Sequence, residues 1–382
     1  MANVETNGKT NGKAGLEGTT AARTAISDVD GEQGRLIYQG IDIFELAGHS
    51  TFEETTYLIW NGRLPDAEQL NTLNRQLSEN RRPPQEVVEI LSNLPKDAPP
   101  MDALRTAVSA MGIYDPDTGD ESREANVRKA LRLVAQTPTL VAYIERLRSG
   151  QEVLEPREDL PLAANFLYML TGEELTAESA EEFDAALVLH IDHELNASAF
   201  ASRVISATQA DMYSAVTGAI GALSGASHGG ANQRVMETLE EIGTPENAEE
   251  HVKNILGRGD RIMGFGHRVY RVMDPRAKVL KGMSRNLGGR HGNTKWFEIS
   301  EIVEDVVIRE KNIFPNVDFY SASFYHELGI ATDLFPAIFA MSRMAGWTAH
   351  VLEQQADNRL IRPRAEYTGP RNVPYVPLEN RS

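Results

Sequence analysis

The chain contains no cysteine. That excludes disulfides, a thiolate nucleophile and any cysteine-based metal centre, and it fits a cytoplasmic protein. No run of roughly eighteen apolar residues occurs, so no helix is expected to span a membrane. Clean strand alternation is scarce and no fixed repeat period is evident. Lysine is sparse: 9 Lys stand beside 29 Arg, against 55 acidic residues, for a net charge of −17. So acidic a chain excludes nucleic acid and anionic membranes as partners, because both demand a basic face. An acid-rich, lysine-poor surface has two readings, a salt-rich cytoplasm and plain solubility. The opening MANVETNGKTNGKAGLEG is polar and has no apolar core. It reads as a disordered tail, with neither a secretory nor an Arg-rich transit signal.

What is present is helical. At 382 residues the chain is long enough for one large domain or two. Phe52 to Trp60 places Phe52, Thr55, Thr56 and Ile59 on one helical face. A long helix is expected from Glu121 to Arg148, interrupted or kinked at Pro138. Further helical stretches run Ala180 to Ala207, Met212 to Leu223, Trp296 to Ile308 and Leu334 to Leu352. Gly- and Pro-bearing joints separate them, notably Gly225-Ala226-Ser227, Gly264-Phe265-Gly266 and Asn312 to Pro315. The expected fold is all-α, with the acid-rich block Gly243 to Glu250 in a separate lobe.

Five clusters could carry chemistry. In Ser227-His228-Gly229-Gly230-Ala231-Asn232, Ser227 can cap the helix-like run Gln233 to Ile242, leaving His228 in its first turn. The positive end of the helix dipole would then keep that histidine neutral and able to donate to an oxygen gaining charge. A glycine-rich packing turn is the alternative. In Gly264-Phe265-Gly266-His267-Arg268-Val269-Tyr270-Arg271-Val272-Met273-Asp274-Pro275-Arg276, two glycines admit a ligand close to the backbone. Three arginines follow His267 within nine residues, the residue type suited to carboxylate and phosphate. The pattern is neither a Rossmann nor a P-loop motif, and a surface loop with solvated arginines is the alternative.

In Asn316-Val317-Asp318-Phe319-Tyr320-Ser321, aromatic neighbours lower the local dielectric and raise an acid toward a useful base; a helix-capping Asp is the alternative. His190 and His193, three apart, share a helix face, which allows a metal hydrolase, a buried hydrogen-bonded pair, or a histidine on a substrate carboxylate. Finally, Arg343 follows an apolar run and is costly to bury unpaired. An anionic ligand or an internal carboxylate would relieve it.

Taken together, the clusters resemble the citrate synthase family. GFGHRVYRVMDPR (Gly264 to Arg276) is similar to its signature segment, and SHGGAN and NVD complete the set in order. The resemblance extends from GLEGTTAARTAISDVDGEQGRLIYQG to RLIRPRAEYTGP. It implies a two-domain helical fold: a disordered tail over 1–14, a large domain over 15–220 and 327–382, and a small closing domain over 221–326.

It also implies an acyltransferase of the tricarboxylic acid cycle that joins acetyl-CoA to oxaloacetate. His228 would stabilise the enol or enolate, Asp318 would take the methyl proton, and His267 would polarise the keto carbonyl. His193, Arg276, Arg343 and Arg362 would bind oxaloacetate, with Arg362 supplied by the partner subunit of a homodimer. Met263, Gly264, Phe265 and Gly266 would form the adenine loop and Arg271 a CoA phosphate contact. No cofactor or metal is implied, since acetyl-CoA is a substrate. The relative within the family is 2-methylcitrate synthase, which takes propionyl-CoA. Arg364, where propionyl-type relatives often carry Ser, favours acetyl-CoA, while Ser321-Ala322-Ser323 stands where a Ser-Gly pair is expected.

Overall fold

A computed structural model describes Leu16 and residues 18–381. The 1–14 tail therefore lies outside the described residues. The chain first forms a small antiparallel sheet from β1 (Ser27–Asp30), β2 (Arg35–Tyr38) and β3 (Ile41–Asp42), in the order β1-β2-β3. Helical periodicity gave no hint of it. The helices that follow are α1 (Ile43–His49), α2 (Phe52–Asn61), α3 (Ala67–Glu79), α4 (Gln85–Ser92) and α5 (Pro100–Tyr114). Next come α6 (Arg123–Arg148), α7 (Leu162–Thr171), α8 (Ala177–His190), α9 (Ala197–Ser206) and α10 (Met212–Leu223). The last are α11 (Ala231–Ile242), α12 (Pro245–Gly257), α13 (Pro275–His291), α14 (Lys295–Lys311), α15 (Val317–Glu327) and α16 (Phe335–Ala356).

Local chemistry sets many of these limits. Thr51, Ser122, Asn196, Asp211 and Asn316 each cap a helix by accepting from a first-turn backbone N–H. Asp66 and Gln69 form a reciprocal capping box on α3. The face expected on α2 is the buried one, since Phe52, Thr55, Thr56 and Ile59 are all inside. Helix α6 runs on through Pro138 without a break. Its neighbourhood is buried on all sides, and packing holds a turn that the missing N–H would otherwise open. The acid-rich block becomes α12.

At the centre lies α16, buried along nearly its whole length and packed by α2, α5, α6, α8, α9 and α10. A helix apolar all round belongs in a core. Helices α11 to α15 pack on one another, with α13 also touching α1 and α8, and α11 touching α16.

One departure from the helical pattern matters for the site. The stretch expected from Ala180 to Ala207 divides, because α8 ends at His190 and α9 begins at Ala197. The break is pinned by long-range bonds. The Tyr38 hydroxyl donates to the Asp192 carbonyl at 2.9 Å, Ser27 Oγ donates to Asp192 Oδ2, and His350 Nε2 meets Asp192 Oδ1 at 3.1 Å. Glu194 takes a left-handed φ of 52°, and its N–H donates to Ser27 Oγ at 2.9 Å. Tertiary contacts thus override helical propensity here. Gly346 on α16 allows the break to sit close: a Cβ there would fall 2.1 Å from the Ile191 carbonyl oxygen. Gly346→Ala should therefore push the 191–196 segment away, lowering stability by roughly 1–3 kcal/mol and displacing His193. Thermal melts and turnover, measured together, check it: a variant with wild-type melting and activity contradicts the contact.

Candidate active site

The candidate segments meet at one cleft of about 1790 Å³. The meeting is made by backbone. The Gly266 N–H donates to the Phe314 carbonyl and the Asn316 N–H to the Gly264 carbonyl, both at 2.9 Å. Asn316 Nδ2 then donates to the Gly266 carbonyl at 2.9 Å. This seam brings His267 and Asp318 to one wall although 51 positions separate them in sequence. Glycine is required at Gly264: its φ is 79°, and a Cβ would approach Val235 Cγ2 to 2.7 Å and Phe319 Cα to 3.0 Å.

His228 lies in the turn before α11, which starts at Ala231 and has Gly230 at its cap position. Ser227 does not cap the helix, and His228 is outside its first turn. The histidine is nonetheless held neutral, its pKa lowered to about 4 by burial first and by the Arg343 charge second. The helix dipole is not the cause. The Ser198 N–H donates to His228 Nε2 at 3.3 Å, and Ser198 Oγ sits 2.8 Å from the same nitrogen. With Nε2 an acceptor, the ring proton belongs on Nδ1. Trp347 Nε1 in turn donates to Ser198 Oγ at 3.1 Å.

His267 shows the opposite tautomer. Its Nδ1 accepts from the Val269 and Tyr270 N–H groups at 3.0 and 3.2 Å, so the proton belongs on Nε2. Burial, and then Arg276, lower its pKa to about 4. His193 packs edge-on to His267, ring centres 5.0 Å apart, and its Nε2 lies 3.2 Å from the Tyr270 hydroxyl.

Asp318 stands in the first turn of α15, where Asn316, not Asp318, is the cap. Burial raises its pKa to about 7, with Arg276 opposing. Its Oδ1 is sealed from solvent and has no hydrogen-bond partner among the described residues. That is the raised acid its aromatic surroundings predict.

Two buried guanidinium groups complete the floor. Arg276 is clasped by Asp274 through Nε to Oδ1 at 3.0 Å and Nη2 to Oδ2 at 2.7 Å. Arg343 donates Nε to the His190 carbonyl at 2.7 Å and lies 4.8 Å over the Phe339 ring. Among the described residues Arg343 has no carboxylate partner within salt-bridge distance, and burial lowers its pKa to about 10. No internal carboxylate pairs directly with it, although the Asp192 and Asp318 charges act on it from further off.

The cleft is lined by His193, His228, Met263, Gly264, Phe265, Gly266, His267, Arg271, Arg276, Asp318 and Arg343. Arg362 is not among them. It lies exposed on the extended segment after α16, away from this chain's own cleft. His190 is likewise absent from the lining: α8 ends at it, so the two histidines do not share a helix face. His190 Nδ1 faces the Ala186 carbonyl at 2.7 Å, and among the described residues no group of three metal-ligating side chains gathers.

Sequence reasoning missed Ser198 and Trp347, and it did not foresee that Asn316 caps α15 or that Asp274 grips Arg276. The Asp-Pro-Arg spacing could have shown the last, whereas Ser198 carries no local signal.

Residues 15–364 match the family model described as "Citrate synthase, C-terminal domain". The chain belongs to the citrate synthase family. It is 51% identical over 369 residues to citrate synthase 2 of Bacillus subtilis, covering 96% of this chain and 99% of that one. To 2-methylcitrate synthase 1 of Corynebacterium glutamicum it is 40% identical over 377 residues, covering 97% and 98%. The crystal structure of citrate synthase from Pyrobaculum aerophilum superposes with a TM-score of 0.90 at 44% identity, over 96% of this chain and 95% of that one. A ternary complex of carboxymethyl coenzyme A and oxaloacetate with the Thermoplasma acidophilum citrate synthase gives 0.91 at 32% identity, over 96% and 98%. As a member of the citrate synthase family the chain is an acyl-transferring enzyme of all-α fold.

An acid kept protonated to about pH 7 costs the fold stability. The folded protein holds that proton where the unfolded chain, with a carboxyl near pH 4, has lost it. Stability therefore falls as pH rises across that window. Asp318→Asn should be more stable than wild type at pH 8, by at most about 4 kcal/mol, with the gain vanishing below pH 4. Paired denaturation curves at pH 4 and pH 8 decide it; an equal difference at both pH values contradicts the raised acid.

Proposed function

We propose that the chain condenses acetyl-CoA with oxaloacetate and water, releasing citrate and free CoA. One observation carries the reading. A carboxyl group poised near neutrality, two neutral histidines of opposite tautomer and two buried guanidinium groups line a single cleft. Asp318 takes a methyl proton of the thioester, and the electron pair moves toward the thioester oxygen. There the Nδ1–H of His228 supports the enol or enolate. The Nε2–H of His267 polarises the keto carbonyl of oxaloacetate as the new carbon–carbon bond forms, and hydrolysis of citryl-CoA frees CoA. A weak base suffices only where a second group stabilises the developing charge out of water. Arg276, Arg343 and His193 hold the keto-acid carboxylates, while Met263 to Gly266 and Arg271 hold CoA.

Exclusion of water calls for closure. We assign it to a small domain over 221–326 moving against 15–220 and 327–382. The chain acts as a cytoplasmic homodimer in which Arg362 serves the neighbouring subunit's cleft. The exposed arm that carries it, with Leu360, Tyr367 and Tyr375 uncovered, supports this reading.

Acetyl-CoA is preferred to propionyl-CoA because of Arg364, though one methylene is worth only about 1–3 kcal/mol. Thiol release with oxaloacetate and each thioester in parallel tests both points. Faster release from acetyl-CoA is expected, and higher kcat/KM with propionyl-CoA would assign the chain to 2-methylcitrate synthesis. Asp318→Ala and His228→Ala should each lose at least about tenfold in turnover while keeping helicity and oligomeric state. Mixed Arg362→Ala and His228→Ala chains should regain activity through hybrid dimers; none, despite proven heterodimers, places Arg362 in its own subunit's site.

Oxaloacetate should also tighten binding of a CoA-thioester analogue, and the reverse must hold by linkage. His267 and Arg276 face the keto-acid on the same segment whose Gly264 to Gly266 and Arg271 face CoA, so drawing one end inward places the other. Calorimetric titration with and without oxaloacetate checks this; equal affinities rule it out.

A further inference from the structure

Behind the wall that carries Asp318 lie two buried polar side chains that the proposed chemistry does not use. Neither His190 nor Tyr325 lines the cleft. Tyr325 follows Asp318 by seven residues on α15, which returns it to nearly the same helical face about 10 Å further along. Helical side chains lean toward the N-terminus, so Tyr325 leans toward Asp318. Its ring is fully buried among Phe183, Phe324 and Phe335, and 6.2 Å from the His190 ring. The Asp318 charge adds to the burial that holds the Tyr325 hydroxyl protonated.

Three polar atoms on Asp318, Tyr325 and His190 are sealed from solvent and have no hydrogen-bond partner among the described residues: Asp318 Oδ1, Tyr325 Oη and His190 Nε2. Their chemistry is complementary. The Ala186 carbonyl can only accept, so His190 Nδ1 carries the ring proton and Nε2 offers a lone pair. The Tyr325 hydroxyl offers a proton, and the ionised Asp318 Oδ1 offers a lone pair. A direct bond from Tyr325 to either acceptor leaves the other unmet. One water meets all three by accepting from Tyr325 and donating to His190 and Asp318, the usual three bonds of a buried water.

We propose that His190 and Tyr325 are positioning residues for Asp318, joined to its Oδ1 through one shared water that steadies the carboxylate. A donor to the charged form favours it, so the water offsets part of the burial that makes Asp318 hard to ionise. Its loss therefore moves the acidic limb of activity to higher pH. The other groups facing Asp318 are Arg276 and Asp274 at the start of α13 and Arg343 on α16. None of them is altered by the test below, nor are His228 and His267 across the cleft.

The test is the pH dependence of kcat/KM, read with KM for each substrate. Tyr325→Phe removes only the donor and should raise the acidic limb by about half a pH unit or more, with both KM values held. His190→Asn withdraws the acceptor and should do the same, while His190→Gln, which keeps an acceptor near Nε2, should restore the wild-type limb. Because the water is shared, Tyr325→Phe with His190→Asn should shift the limb no further than one change alone. A limb that stays within about 0.2 of a pH unit in Tyr325→Phe, or shifts that simply add, overturns the proposal. A purely structural role would lower the melting temperature and leave the limb in place. The inference rests on Asp318 as the base. Retained turnover in Asp318→Ala would remove both readings, whereas a dead Asp318→Ala beside an unmoved limb removes this one alone.

Discussion

Holding two guanidinium groups away from water is the constraint on which the rest of the site depends. Isolated buried cations are strongly unfavourable. Arg276 is compensated inside the fold, because Asp274 grips it with both oxygens. Arg343 has a carbonyl and a ring face but, among the described residues, no carboxylate within salt-bridge distance. That leaves a net positive field at the cleft floor on a chain of net charge −17. The same field lowers the proton affinity of His228 and His267 and opposes the burial that raises Asp318. Burial first, and this arrangement of charge second, keep two histidines neutral, while the same charge leaves a buried acid able to ionise near neutrality. An anion that fits between the guanidinium groups supplies the counter-charge the fold withholds.

Much of this was legible in the sequence, for identifiable reasons. The three segments around His228, His267 and Asp318 stand out because chemistry-bearing residues sit among glycines, prolines and aromatics at joints between helices. The helices on either side follow from apolar periodicity, and α2, α10 and α16 begin or end within a few residues of where that pattern places them. The break at 191–196 was hidden, since nothing local stops a helix there. It exists because Tyr38, Ser27 and His350, distant in sequence, satisfy Asp192. Tautomers were equally hidden. They are dictated by Ser198 at one histidine and by backbone N–H groups at the other, and neither is visible without the fold. The helix-dipole account of His228 pointed to a neutral ring through the wrong cause, because the helix starts three residues later than the pattern suggests.

The acidic surface and the basic cleft solve one problem together. A strongly acidic exterior keeps the chain soluble, yet repels anionic substrates in general. Arginines gathered at Arg268, Arg271, Arg276 and Arg343, all lining one cleft, set a local cluster of positive charge against that acidic exterior. Arginine suits that duty better than lysine because its planar fork matches a carboxylate in two bonds.

The backbone seam between Gly264–Gly266 and Phe314–Asn316 has a consequence for how the protein comes into being. It closes a loop of about fifty residues, and closure over such a span carries an entropic cost that only later packing offsets. The surroundings of Asp318 depend on that closure, since Gly264 packs on Phe319 and Asn316 caps the helix that carries it. A nascent or partly folded chain therefore lacks the enclosed pocket that raises the Asp318 carboxyl above the ordinary aspartate range. The shifted carboxyl of Asp318 exists only once those long-range contacts have formed.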